Sequence, residues 1–229
     1  MSRKFIIFGL IVVLAGIVGF VYYKNLTIPD IVRLINNTNN EYDILKAKYG
    51  THENFDQLVA EIKTAKERIA KNPNDEDAYI TAANRYYNLG DYDDAWNYFV
   101  LANKIAPSDY VPVYWLARVK IQTGSYKEAE GFYLKAIDAN PKAQLTYIDL
   151  ARLYTFRLKE ERDSGAIEKL LLRGLDNLPD NEDILRSLLS EYGRLNDKEK
   201  QIETIKKILP INPSDPQLKS ALTELQSGK

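Results

Sequence analysis

Residues 76–109 read EDAYITAANRYYNLGDYDDAWNYFVLANKIAPSD, and this stretch decides the fold. Its first half places apolar side chains at the i, i+3, i+4, i+7 spacing of one helix face: Tyr79, Ala82, Ala83 and Tyr86. Its second half carries a similar stripe: Ala95, Phe99 and Ala102. Between the halves, Gly90 predicts a turn, because glycine adopts the left-handed backbone conformation without strain. The stretch therefore predicts a helical hairpin that ends at Pro107.

The same pattern recurs along the chain, and this predicts an array of stacked hairpins. Residues 110–143 repeat it at a shift of 34, with Gly124 in the place of Gly90 and Pro141 in the place of Pro107. Residues 144–181 repeat it with a longer turn near 157–165. Residues 182–215 are the loosest copy. A single hairpin cannot bury its own apolar face, whereas stacked copies can.

This pattern resembles the tetratricopeptide repeat (TPR) family, whose 34-residue unit has an aromatic residue, Leu-Gly, Tyr, Ala, Phe and Pro at these intervals. The resemblance covers residues 76–215. It implies an all-α solenoid of about four repeats, with capping helices at its ends. Asn54 and Gln57 match a capping box for a preceding helix that runs to about Lys71. A last helix over residues 215–227 is expected to cover the fourth repeat.

The N-terminal residues predict a membrane anchor. An uncharged run of 19 residues starts at Phe5 and ends at Tyr23, long enough to cross a hydrocarbon core of about 30 Å. Arg3 and Lys4 precede this run, and the positive-inside rule therefore predicts a cytoplasmic tail and an extracytoplasmic (periplasmic or extracellular) repeat domain. A cleaved signal peptide is the alternative, but the run exceeds the usual length and no Ala-x-Ala site follows it.

These signals divide the chain into three parts. Residues 1–24 form the tail and the transmembrane anchor, 25–53 form a juxtamembrane connector, and 54–229 form the TPR-like domain. Within the anchor, Ala15 and Gly19 form a small-x-x-x-small pair that could join two spans in a homo-oligomer. The alternative for this pair is the ordinary abundance of glycine in membrane helices.

Composition argues against several classes of function. Thirty-one basic and 32 acidic side chains leave no field that would recruit nucleic acid. The chain has no cysteine, so it has no disulfide, thiolate metal site or cysteine nucleophile. The single histidine, His52, begins a zinc-protease motif, but Asp56 stands where the second histidine would be required. We expect neither an enzyme nor a cofactor or metal site.

The resemblance implies a concave groove lined by the first helix of each repeat, which holds an extended peptide or a partner helix. Residues at equivalent places in successive repeats should form columns along this groove. The columns and their flanking residues are Ile80, Asn84, Tyr87, Asn88, Tyr114, Arg118, Ile121, Gln122, Ile148, Arg152, Phe156 and Arg186. This set predicts an apolar groove with two central arginines, suited to a peptide that carries a carboxylate between hydrophobic side chains.

Two alternatives bear on this groove. Arg118 and Arg152 could instead pair with neighbouring acidic side chains. The chaperone-binding branch of the family grips a C-terminal carboxylate, and Asn84 matches one residue of that set. However, Ile80 and Trp115 stand where a lysine and another asparagine would be expected, which argues against a co-chaperone.

Together these features predict a single-pass, membrane-anchored TPR adaptor that binds a protein or peptide during assembly of a cell-envelope complex. The lipid bilayer would contact the chain through residues 5–23. One alternative is an N-anchored TPR receptor that faces the cytosol, of the import type. A weaker alternative is a structural protein that assembles end to end.

Overall fold

The computed structural model describes residues 41–158 and 165–227, and the regular structure in these two ranges is entirely helical. Eleven helices follow one another in the described ranges: α1 Glu41–Tyr49, α2 Phe55–Lys71, α3 Glu76–Leu89, α4 Tyr92–Ile105, α5 Tyr110–Gln122, α6 Tyr126–Ala139, α7 Gln144–Phe156, α8 Ala166–Asn177, α9 Glu182–Arg194, α10 Lys198–Ile208 and α11 Pro216–Ser227. The prediction of an all-α fold is confirmed for these residues.

The chain divides into two compact units, the first ending at Asp91 and the second beginning at Tyr92. The first unit contains α1, α2 and α3, and the second contains α4 to α11. The boundary lies within the predicted hairpin 76–109, so its two helices belong to different units.

The first unit packs α3 against α2 and α1 against α2. Its core is formed by residues that are almost completely buried: Ile62, Ala65, Ile69, Tyr79, Ala82, Ala83 and Tyr86. Asp75 caps α3, because its carboxylate accepts a hydrogen bond from the backbone N–H of Ala78 at 3.1 Å. Gly90 ends α3 with φ of 82°, the left-handed conformation that the sequence predicts there.

The capping box predicted at Asn54 is wrong. Asn54 has φ of 63°, and its side chain caps no backbone N–H. Gln57 instead donates to Glu61 on its own helix at 2.9 Å. The N-cap position normally has extended backbone dihedrals that aim its side chain at the first turn, and the left-handed conformation of Asn54 does not provide them.

The second unit packs its helices in chain order from α4 to α11, and α7 also contacts α9. Small buried residues allow the helices to approach closely, and Ala117, Ala129 and Ala136 are all fully buried. Gly174 is also a close-packed position, because an added Cβ would lie 3.1 Å from both Ile184 and Tyr147. One core cluster runs through α5 to α9, and its largest fully buried side chains include Tyr133, Tyr147 and Leu171.

Two equivalent hydrogen bonds join successive repeats in this unit. The hydroxyl of Tyr154 donates to Glu130 at 3.0 Å, and the hydroxyl of Tyr192 donates to Glu168 at 2.9 Å. In each pair the tyrosine lies on the first helix of one repeat, and the glutamate lies 24 residues earlier, on the second helix of the preceding repeat. Burial raises the pKa of both tyrosines, so both hydroxyls stay protonated and remain donors at neutral pH.

At the C-terminal end, α11 packs against α10. Leu218 is buried in a small cluster with Leu185, Ile205 and Ile208, and Leu222 packs against its edge. Asp215 caps α11 by accepting from the backbone N–H groups of Gln217 and Leu218, at 2.9 and 3.1 Å. The last helix therefore covers apolar side chains of the fourth repeat.

Candidate functional site

The first helices of the second, third and fourth repeats, α5, α7 and α9, carry two adjoining pockets. The first, here called the α5–α7 pocket, has a volume of about 620 Å³. The second, called the α7–α9 pocket, has a volume of about 770 Å³. Leu145, in the first turn of α7, lines both. We refer to the two pockets together as the groove.

Side-chain caps fix where two of these helices begin. Asp109 accepts from the backbone N–H of Val111 at 3.0 Å and starts α5. Asn181 accepts from that of Ile184 at 3.0 Å and starts α9. The amide of Asn181 also donates to the side chain of Gln144 at 2.6 Å, which joins the start of α9 to the start of α7. Side-chain caps therefore hold the N-terminal ends of α5 and α9, and the side chain of Gln144 holds the first residue of α7 against α9.

The α7–α9 pocket combines exposed apolar side chains with arginines. Leu145 is 60% exposed and Phe156 is 75% exposed, both far above the level of the core residues of the same helix. Ile148 lies between them on α7 and is buried. Arg152, Arg186 and Arg194 line the same pocket, together with Ser187 and Ser190. Such a surface can bind an extended segment that places an apolar side chain beside a polar or acidic one.

Acidic side chains orient each of these arginines. Arg186 contacts Glu182 at 2.7 Å and Asp215 at 2.6 Å, and hydrogen bonds from Arg186 lower the pKa of both carboxyls. Arg194 makes two hydrogen bonds to Glu191, at 2.8 and 2.6 Å. Arg152 is held more loosely: a single contact of 3.3 Å joins it to Asp149, and its side chain is 69% exposed. Arg152 is therefore the arginine of this pocket best placed to meet a ligand.

The α5–α7 pocket has an aromatic wall. Tyr110, Tyr114 and Trp115 line it, and the guanidinium of Arg118 lies 4.5 Å from the centre of the Trp115 ring. The hydroxyl of Tyr114 donates to Asp149 at 2.7 Å. Burial, with a smaller contribution from this hydrogen bond, raises the pKa of Tyr114 to about 12. Tyr114 is therefore a neutral, fixed part of the wall at physiological pH.

The structure brings together half of the groove residues that the sequence predicts. Tyr114 and Arg118 line the α5–α7 pocket. Ile148, Arg152, Phe156 and Arg186 line the α7–α9 pocket. The other two predicted groove residues of the second unit, Ile121 and Gln122, line neither pocket. Ile121 packs against the core, and Gln122 is exposed and accepts from the hydroxyl of Tyr92 at 3.4 Å.

The four predicted groove residues of the first unit lie on α3. Ile80, Asn84 and Tyr87 are half-buried, and Asn88 is exposed. The side-chain oxygen of Asn84 is buried and accepts no hydrogen bond from the residues that the structure describes.

Several groove residues escape the sequence-based prediction. The repeat register that relates Tyr114, Ile148 and Arg186 also relates Val111, Leu145 and Asp183, three residues earlier in each copy. All three line the groove. A further column, placed three residues before the one that contains Tyr114, Ile148 and Arg186, would have identified them from the sequence. In contrast, Lys142 belongs to the turn between repeats, where no helical register applies.

Residues 113–143 match the tetratricopeptide repeat family. The chain has a TPR fold. None of the curated proteins matches it. Among solved structures, MamA 41-end from Desulfovibrio magneticus RS-1 resembles it with 16% identity and a TM-score of 0.50, over 67% of this chain and 84% of that one. YrrB resembles it with 18% identity and a TM-score of 0.51, over 82% of this chain and 89% of YrrB. TTC0263, a TPR protein of Thermus thermophilus, resembles it with 16% identity and a TM-score of 0.52, over 82% of this chain and 98% of TTC0263. At these identities the likeness concerns the fold alone.

The predicted anchor at residues 5–23 lies outside the described residues. In the ranges 41–158 and 165–227, the helices fall short of the length and hydropathy that a membrane crossing requires.

Proposed function

We propose that this protein is a scaffold that holds an extended segment of a partner protein in its groove. The observation that carries the proposal is the exposure of Leu145 and Phe156 on the first helix of the third repeat, where they line a pocket of about 770 Å³. Apolar side chains at the mouth of a pocket gain free energy when a partner covers them. YrrB, which shares the fold, is described as a TPR protein with an unusual peptide-binding site.

Selection of peptides tests the proposal. A phage-displayed library of random 12-residue peptides is selected on the immobilised full-length protein, and affinities of the enriched peptides are measured by fluorescence anisotropy. We expect Leu145→Ser combined with Phe156→Ser to weaken binding at least tenfold. Leu172→Ser is the matched control, because Leu172 is a similarly exposed leucine on α8 that does not line the groove. The absence of any enriched peptide, or equal loss in the control, would refute the proposal.

We further propose that the protein is membrane-anchored, with its repeats outside the cytoplasm and its groove available to a partner in a cell-envelope complex. The uncharged run from Phe5 to Tyr23 and the preceding Arg3 and Lys4 support this proposal. Tethering would raise the local concentration of whatever the groove binds. The opposite orientation, with the repeats facing the cytosol, is the second candidate.

Labelling of a single cysteine decides between these orientations. The chain has no cysteine, and Ser214 is exposed, so Ser214→Cys introduces one accessible thiol. If the repeats lie outside the cytoplasm, a membrane-impermeant maleimide should label this thiol in cells whose cytoplasmic membrane is intact. Where the cells have an outer membrane, it is permeabilised first. Labelling only after lysis of the anchoring membrane would place the repeats in the cytosol. Release of the protein by carbonate washing would contradict the anchor itself.

A further inference from the structure

The α5–α7 pocket carries charge of one sign. Arg118 and Lys142 line it, and none of the described aspartates and glutamates does. Lys142 is exposed, and its ammonium forms no ion pair with any residue in the described part of the chain. Two acids contact side chains of this pocket from outside its lining: Asp149 accepts from Tyr114 and Arg152, and Asp183 accepts from Gln144. The pocket therefore favours a negatively charged group.

The N-terminus of α7 opens on the same pocket and has no side-chain cap. Ala143 occupies its N-cap position and cannot accept a hydrogen bond through its side chain. In the same unit, α6 and α8 also have no side-chain cap, whereas Asp109, Asn181 and Asp197 cap α5, α9 and α10. The backbone N–H groups of Gln144 and Thr146 donate to the carbonyls of Lys142 and Ala143, so this end attracts an anion through the partial positive charge of the helix N-terminus.

An independent observation at this end is the hydroxyl of Thr146. Thr146 lines the pocket and is completely buried, and its oxygen has no hydrogen-bond partner within residues 41–158 and 165–227. A buried hydroxyl without a partner is costly and rare in a folded protein. A rotation of this side chain that turned the hydroxyl toward the pocket would let it donate to an anion bound there.

We propose that the α5–α7 pocket binds the carboxylate of an acidic side chain in the segment that occupies the groove. This inference rests on the proposed function. A peptide fits better than a small anion, because three aromatic side chains, those of Tyr110, Tyr114 and Trp115, wall a volume of about 620 Å³. Leu145 continues the same surface into the α7–α9 pocket, where the neighbouring apolar side chain of the segment would lie.

Peptides from the selection described above test this inference. Each enriched peptide is synthesised with an amidated C-terminus, so that only side-chain carboxylates remain, and its Asp and Glu residues are replaced singly by Asn or Gln. We expect one such replacement to weaken binding about tenfold or more, because a charged hydrogen-bonding partner is lost. Equal binding of all amide variants would overturn the inference while leaving the proposed function intact. The absence of any selected peptide would overturn both.

Substitutions in the protein locate the carboxylate. Arg118→Gln combined with Lys142→Gln should abolish the preference for the acidic peptide over its amide form. Lys135→Gln is the control, because Lys135 is an exposed lysine on α6 outside the pocket. A preference that persists in the double variant would place the carboxylate elsewhere and overturn the inference.

Thr146→Val separates binding from structure. Valine keeps the shape of threonine but removes the hydroxyl that has no partner among the described residues of the free protein. We expect the melting temperature to stay unchanged or rise, and the affinity for the acidic peptide to fall severalfold. Thr146→Ser, which restores the hydroxyl, should recover the preference for the acidic over the amide peptide. Unchanged affinity in the valine variant would contradict a role for this hydroxyl.

Discussion

The second and fourth repeats hold the same fold by different means. In residues 110–143, fully buried alanines at positions 129 and 136 let the helices approach, and the aromatic ring of Tyr133 fills the space beside them. In residues 182–215, Gln201 and Ile208 replace those alanines. An ion pair of Lys200 with Glu168 links this repeat to the one before it, and an ion pair of Arg186 with Asp215 joins its first helix to the residue that caps α11. The comparison teaches that the TPR fold requires matched surfaces rather than particular small residues.

The largest effect is expected from removing the aromatic side chain of the second repeat. Tyr133→Ala should cost about 3–5 kcal/mol, because a large buried ring leaves a cavity that the surrounding helices cannot close. The equivalent change in the fourth repeat, Ile205→Ala, removes fewer atoms and should lie toward the low end of about 2–5 kcal/mol. Urea denaturation monitored by circular dichroism measures both. A greater loss of stability from Ile205→Ala than from Tyr133→Ala would contradict this contrast between the two repeats.

A medium loss of stability is expected when leucine replaces Ala136 of the second repeat, and a smaller one when it replaces the equivalent Ile208 of the fourth. Ala136→Leu should destabilise the second repeat by about 1–3 kcal/mol, because the site is fully buried and a larger side chain forces the helices apart. Ile208→Leu preserves volume and should cost less than about 1.5 kcal/mol. Ala139→Leu is the control, an exposed site on α6, where the change should lie within about 0.5 kcal/mol. Similar losses at Ala136 and Ala139 would contradict the close helix approach.

The smallest effect concerns pH and is confined to the fourth repeat and its links to its neighbours. Hydrogen bonds from Lys200 lower the pKa of Glu168, and those from Arg186 lower the pKa of Glu182 and Asp215. A carboxyl whose pKa is lower in the folded state stabilises the protein above its unfolded pKa, about 4. This contribution is lost as the pH falls through the lowered folded values.

The triple variant Glu168→Gln, Glu182→Gln, Asp215→Asn tests this dependence. It should be less stable than the wild type at pH 7, and the difference should shrink at about pH 3, below the unfolded pKa of these carboxyls. The cost of Ala136→Leu should be the same at both pH values, because no titrating group is involved. A difference in stability between the triple variant and the wild type that did not change with pH would contradict the role assigned to the ion pairs of the fourth repeat.

Much of the fold could be predicted from the sequence because local rules determine it. Gly90 and Gly124 have φ of 82° and 77°, the conformation that their turns require. Asp75 caps α3 through the backbone N–H three residues later, which is also a local contact. The capping box at Asn54 failed because sequence spacing does not reveal a left-handed backbone conformation at the cap itself.

The groove was harder to predict because its charges depend on long-range contacts. Arg186 donates to Asp215, 29 residues away, and the carboxylate of Asp149 accepts from Tyr114, 35 residues away. Repeat register identified Arg152 and Phe156 on the exposed face of α7, because register alone sets which residues share that face. It could not show that Thr146 lacks a hydrogen-bond partner among the described residues, since this depends on every neighbouring atom.

The paired tyrosine–glutamate bonds make neighbouring repeats depend on each other. If α9 detached, Glu168 would lose the hydroxyl of Tyr192, and if α7 detached, Glu130 would lose that of Tyr154. Each opening therefore removes one hydrogen bond from a carboxylate of the repeat before it, which opposes fraying from one end. Amide protons of α6 through α9 should accordingly exchange with solvent as one cooperative block, at a common rate, rather than in sequence from the C-terminus.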